Sequence, residues 1–152
     1  LVVDYLPKLL QELDNLQYRE KLSLASLMAG LAFGNTRTTA CHSISYPLTM
    51  DYGVEHGFAA AVTLIEMIKF NRPYIKEYSS FLQAFNCKNL DEVDKKFHLI
   101  TDPIQPCYLN SFKIKKSDID SIVAKSFSLG RMGNNPRQCT REDVRSVLNK
   151  CY

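Results

Sequence analysis

The sequence predicts an all-α fold, a bundle of about seven or eight helices. Three observations carry that prediction. Apolar residues recur at spacings of three and four along most of the chain. Residues able to cap a helix stand just ahead of several of those apolar runs. No pair of alternating strands joined by a tight turn occurs, and no internal repeat is found.

Leu6, Leu9, Leu10 and Leu13 share one face of a first helix, which requires Pro7 to sit in its first turn, where a missing N–H costs nothing. Tyr18 to Phe33 repeats the pattern through Leu22, Leu24, Ala25, Met28, Ala29 and Ala32. The small residues Ala25, Ala29, Gly30 and Ala32 predict close packing against a neighbouring helix. Thr38 or Thr39 caps a helix through Ser45, which Pro47 should end or bend. Gly53 marks a turn.

Glu55 to Phe70 is the most apolar helix. Asn71-Arg72-Pro73 stops it, and Pro73 starts another that runs to Phe85. Asn89 or Asp91 opens a short helix to Ile100. Asp102 to Lys116 has two prolines and little periodicity, and reads as a loop. Ser117 caps a helix from Asp118 to Phe127. Asn134-Asn135-Pro136 is a turn, and Thr140 with Asp143 repeats the capping pattern before Val144, Val147 and Leu148. Met28, Phe33, Phe58 and Met67 are expected in the core, and His98 on the surface beside Lys95 and Lys96.

With 152 residues, 45% hydrophobic and 23% charged, the chain is too apolar and too weakly charged for disorder. Its longest apolar candidate, Phe58 to Ile68, is broken by Thr63 and Glu66 and falls short of a membrane span. The opening Leu1-Val2-Val3-Asp4-Tyr5 lacks both a starting Met and the basic start of a signal peptide. Residues 1–152 are therefore expected to form one domain of a longer protein. Net charge is +3, with five basic and seven acidic residues in 1–70 and fourteen against nine thereafter. Only Lys113, Lys115 and Lys116 cluster, too little for a nucleic-acid surface. Five cysteines without a CxxC pair (Cys41, Cys87, Cys107, Cys139, Cys151) argue against a disulfide framework or zinc ribbon and for free thiols in a reducing cytoplasm.

Two of the three histidines lie close together. His42 and His56 are separated by Pro47 and Gly53, able to fold one helix back on the next. Two neutral imidazoles converging from adjacent helices make half of a first-row divalent metal site. Asp51 is the one carboxylate inside the loop expected between them, and it reads more simply as solvated. Spacing alone leaves the alternative open: one packed and one exposed histidine with no ligand.

The surrounding text says more. Ala25-Ser26-Leu27-Met28-Ala29-Gly30-Leu31-Ala32-Phe33, then Cys41-His42-Ser43-Ile44-Ser45-Tyr46-Pro47-Leu48, then Tyr52-Gly53-Val54-Glu55-His56-Gly57 resembles the helical domain of iron-containing alcohol dehydrogenases. The family pattern there is a helix A-x-x-x-A-G-x-A-F, then H-x-x-x-H-P-L, then a His-Gly pair. The likeness runs from about Leu22 to Asn71, and Asn134-Asn135-Pro136-Arg137 with the last helix echoes the family's closing segment.

That resemblance implies the C-terminal half of a two-domain, dehydroquinate synthase-like fold. A nucleotide-binding domain would precede it, and a divalent metal, Fe(II) or Zn(II), would sit between the two on one Asp and three His. The last two of those histidines fall on His42 and His56; the Asp, the first His and the NAD(P)-binding Gly-rich loop would lie upstream of Leu1. The implied reaction is metal-assisted hydride transfer between a small alcohol and its aldehyde. The implied partners are the chain's own nucleotide-binding domain and a second copy in a homodimer, with no nucleic acid and no membrane. The 152 residues alone are expected to be inactive.

Two positions depart from the pattern. The second histidine of H-x-x-x-H is Tyr46, a phenol that can donate a hydrogen bond but is a poor base near neutral pH, so Tyr46 is expected to line the pocket. Thr36-Arg37-Thr38-Thr39 precedes the His42 helix where many members carry small apolar residues. Arg37, Thr38 and Thr39 are candidates for holding a phosphonate, and this run with the following His-x-x-Ser-Tyr is similar to the phosphonoacetaldehyde reductase branch. An ordinary helix cap beside a surface arginine explains them equally well. The rivals to the whole reading are a glycerol dehydrogenase or dehydroquinate synthase type of domain, and a helical interaction module without chemistry.

Overall fold

The computed structural model describes residues 1–127 and 130–152, and among them every regular element is helical. The chain divides into two compact units, Leu1–Arg37 and Thr38–Tyr152.

The first unit is two helices, α1 (Val2–Gln11) and α2 (Leu16–Asn35), packed on each other. Helix α1 starts four residues earlier than the leucine spacing suggested, so Pro7 stands inside it rather than in its first turn. Asn15 opens α2: its side chain accepts from the N–H groups of Gln17 and Tyr18, satisfying donors that no intrahelical carbonyl reaches. Neither helix has a buried residue. Met28 and Phe33, expected in the core, are 56% and 59% exposed, and Leu27 and Leu31 are exposed as well. The small residues of α2 do not carry it into a closed interface.

The second unit is built around α3 (Ala40–Tyr52). Thr39 stands at its N-cap, and the helix runs straight through Pro47, which neither ends it nor marks its boundary. Proline removes one ladder bond. Here Pro47 is itself buried, Ile44 and Leu48 beside it are at most 1% exposed, and the Ser45 hydroxyl donates to the His42 carbonyl one turn back. Burial of this face, at about 1.5–3 kcal/mol for each large apolar side chain, outweighs the loss. The helix stops at Gly53, whose φ of 68° is the left-handed conformation that glycine adopts without strain.

The apolar stretch after Gly53 forms two helices, α4 (His56–Ala61) and α5 (Leu64–Asn71), rather than one. Between them the β-branched pair Val62-Thr63 is buried and Thr63 has ψ of 0°, which interrupts the ladder. Pro73 sits in a 3-10 turn, Arg72–Tyr74, and α6 starts later than expected (Tyr78–Ala84). The Asn89 side chain caps α7 (Leu90–Thr101) by accepting from Glu92 N–H.

The stretch read as a loop contains a 3-10 turn, Leu109–Phe112. Ser117 is not a cap: Asp118 accepts from Lys115 N–H and stands before α8 (Ile119–Ser126). The Thr140–Asp143 capping box forms as the sequence predicts and opens α9 (Arg141–Lys150). Helix α3 packs against α4 and α8, and α8 against α9. Ile44, Leu48, Ala59, Leu109, Ile122 and Leu148 lie at the centre of the main core. A second cluster gathers Ile65, Leu90 and Val93 with Phe81, Phe85 and Phe97.

Candidate metal centre

The turn at Gly53 builds the site. Gly53 N–H donates to Thr49 O, and Val54 N–H reaches back to Leu48 O at 3.2 Å, reversing the chain so that α4 returns alongside α3. His42 lies in the first turn of α3 and His56 is the first residue of α4. Their rings meet edge-on, with centres 5.4 Å apart and planes at 62°. Tyr46, one turn along α3 from His42, has its ring centre 6.2 Å from that of His56. The three residues that the sequence singled out around a metal are thus brought together.

His42 is half-buried and His56 exposed. Burial, then the positive potentials of His56 and Arg131, push the His42 imidazole below its usual range. The neutral form, the one with a lone pair to give a metal, is therefore favoured at neutral pH. The donor set fits a first-row divalent ion. Two imidazoles holding one ion through nitrogens about 2.1 Å away at a tetrahedral angle have ring centres about 5 Å apart, close to the separation found. Among the described residues no group of three His, Cys, Asp or Glu side chains could hold an ion. The pair supplies two ligands and leaves further positions open.

Asp51 is excluded from the site. It lies in α3 rather than in a loop, and its carboxylate accepts from Lys125 Nζ of α8 at 2.7 Å. Cys41, next to His42, is a half-buried thiol whose pKa burial pushes up, which disfavours the reactive thiolate. Thr38 and Thr39 are half-buried at the start of α3, and Thr39 makes no side-chain cap bond, so its hydroxyl is not consumed by the helix. Arg37 is exposed and belongs to the first unit.

One site residue escapes a reading of the sequence. The Arg131 guanidinium carbon lies 4.8 Å from the centre of the Tyr46 ring, a cation held over an aromatic face. Nothing local in Gly130-Arg131-Met132 signals this, because the partner is 85 positions away in the chain. The nearest hint is the Asn134-Asn135-Pro136-Arg137 echo that follows it.

His98 also differs from expectation. It is 23% exposed, stacks flat on Tyr108 with ring centres 4.7 Å apart, and has Asp94 and Asp102 on its two ring nitrogens. It borders an open cavity of about 770 Å3 shared with Glu66, Lys69 and Asp94, in which Lys69 bridges the two carboxylates.

Comparison with known proteins gives this geometry its context. A family model described as Fe-containing alcohol dehydrogenase family, C-terminal, matches residues 1–152. Lactaldehyde reductase of Escherichia coli is 27% identical over 143 residues, covering 88% of this chain and 37% of that protein. Phosphonoacetaldehyde reductase of Streptomyces viridochromogenes is 26% identical over 150 residues, covering 87% of this chain and 36% of that protein. The crystal structure of sulfoacetaldehyde reductase from Bifidobacterium kashiwanohense in complex with NAD+ is 28% identical with a TM-score of 0.87, covering 99% of this chain and 40% of that one. The chain spans less than half the length of each of these relatives. Over its whole length, then, this all-helical chain belongs to the Fe-containing alcohol dehydrogenase family, as the C-terminal part.

Proposed function

We propose that these residues form the metal-binding helical part of an NAD(P)-dependent oxidoreductase that interconverts an alcohol and an aldehyde. The observation that carries the reading is the convergence of His42 and His56 across the Gly53 turn. Relatives that are reductases of lactaldehyde, phosphonoacetaldehyde and sulfoacetaldehyde support it. His42 and His56 would hold a divalent ion, Fe(II) or Zn(II), completed by ligands from elsewhere in the protein, with the nicotinamide bound mainly by a nucleotide-binding domain.

When bound, the ion supplies Lewis-acid polarisation of the carbonyl oxygen. His42, whose imidazole its surroundings push toward the neutral form, would offer the ion a lone pair. Tyr46 stands beside His56 and would offer the substrate a phenolic O–H as a hydrogen-bond donor. Arg37, Thr38 and Thr39 are proposed to receive a phosphonate carried by the aldehyde.

The test is made on the full-length protein, by metal analysis and by following nicotinamide absorbance with aldehydes present. His42→Ala and His56→Ala are each expected to lose stoichiometric metal and to cut turnover on the order of 100-fold or more. Full metal occupancy with full turnover in either variant overturns the ligand assignment.

A further inference from the structure

We propose that Arg131 binds the anionic end of the substrate, making the aldehyde one that carries a phosphonate, sulfonate or carboxylate group; this rests on the oxidoreductase reading above. Three observations within the second unit lead there.

The first is position. The 3-10 turn Met132–Asn134 is tied to the start of α3 by Asn134 Nδ2 donating to Thr38 O at 3.2 Å. The next residue, Asn135, is buried and bonded to Asn71 at the end of α5. Arg131 therefore enters the turn from a fixed backbone, and its guanidinium rests on Tyr46, the ring that neighbours His56.

The second is the cation's setting. A guanidinium held over an aromatic face spends none of its N–H donors on a hydrogen-bond acceptor there, so the Arg131 donors stay available to a ligand. Those donors form the fork that matches the paired oxygens of a phosphonate, sulfonate or carboxylate. Tyr46 thus works as a platform for Arg131, an aromatic face that carries no charge of its own near neutral pH.

The third is charge balance. Among the described residues Arg131 has no carboxylate partner, whereas Arg145 is paired with Asp120 and Glu142. Arg131 lies over the ring that neighbours His56, and a cation so placed is unfavourable once the histidines hold a metal ion. An anion between them removes the conflict, and a substrate whose carbonyl meets the metal can bring that anion with it. The exposed site then prefers the charged aldehyde to a neutral one of equal size.

The experiment uses the full-length enzyme and compares kcat/KM for phosphonoacetaldehyde with that for propanal. Arg131→Ala is expected to lower the ratio about 10- to 100-fold, the scale of a lost charge-assisted hydrogen bond. Arg131→Lys keeps the charge without the fork and should recover part of the ratio; it also serves if the alanine variant folds poorly. The inhibition constant of phosphonoacetate should rise with the loss. An unmoved ratio in both variants overturns the assignment. So does a rise in the nicotinamide KM that matches the loss on the charged aldehyde, which would give the guanidinium to a cofactor phosphate. A wild-type enzyme that transfers hydride to no aldehyde fails earlier, and sinks the oxidoreductase reading itself.

Discussion

Asn71 and Asn135 exchange amide hydrogen bonds: Asn71 Nδ2 donates to Asn135 Oδ1 at 3.0 Å, and Asn135 Nδ2 donates to Asn71 Oδ1 at 2.7 Å. Asn135 also donates to Arg137 O, and at 7% exposure it has little access to water. This reciprocal pair fastens Asn135, at the end of the 3-10 turn Met132–Asn134, to the end of α5, and with it the turn that Arg131 enters.

Replacing Asn135 by Ala leaves the Asn71 amide and the Arg137 carbonyl without their partner in a dry setting. The expected cost is about 1–3 kcal/mol. Asn71→Ala removes the same pair from the other side, so the two substitutions together should cost less than their sum. Urea unfolding of both single variants and the double variant checks this, and strict additivity refutes the latch.

If Arg37 with Thr38 and Thr39 receives a phosphonate, Arg37→Ala in the full-length enzyme should raise KM for phosphonoacetaldehyde several-fold more than for propanal. Equal changes for the two aldehydes would make Arg37 an ordinary surface residue.

Helix α9 opens on a box whose two sides satisfy each other. Asp143 accepts from the Thr140 hydroxyl at 2.6 Å and from Thr140 N–H at 2.9 Å, and Asp143 N–H donates back to the hydroxyl. These bonds hold the Asp143 carboxyl below its usual range. A depressed folded-state pKa means the box stabilises fully above the ordinary carboxylate pKa, about 3.9, and loses that stabilisation as pH falls toward the depressed value. Thr140→Ala should lower stability near neutral pH by about 1 kcal/mol and flatten this acid dependence. Unfolding measured down the acid limb reads both effects, and an unchanged slope contradicts the account.

Burial pushes the Cys139 thiol up to about 11 and the Cys151 thiol up to about 12. Neither is appreciably ionised at pH 8, and the thiolate is the reactive form. In the native protein both should resist iodoacetamide, and both should label once denatured. Peptide mass spectrometry after a timed exposure tests this; labelling at the rate of a free thiol would place them outside the core.

What the sequence made legible was local or was written as an ordered pattern. The Thr140–Asp143 box and the Asn89 cap need only a side chain and a backbone three residues on, so their spacing suffices. The His42–His56 approach was legible because a glycine turn lies between two short helices and reverses the chain by itself. Pro47 misled because its local cost is visible in the sequence, while the burial of Ile44 and Leu48 that overrides it comes from residues far along the chain. Arg131 stayed hidden for the same reason: its partner Tyr46 lies on α3, far back in the chain, and is brought near by tertiary packing alone. His98 looked exposed among lysines, and Tyr108, from the supposed loop, covers it.

Helix α2 carries apolar side chains on every side and fully buries none of them. Twenty residues of that kind are poorly suited to standing alone in water. Produced as these 152 residues only, the polypeptide should be sticky: it would draw chaperones, demand mild detergent in purification, and clump on concentration at temperatures where its second unit is still folded.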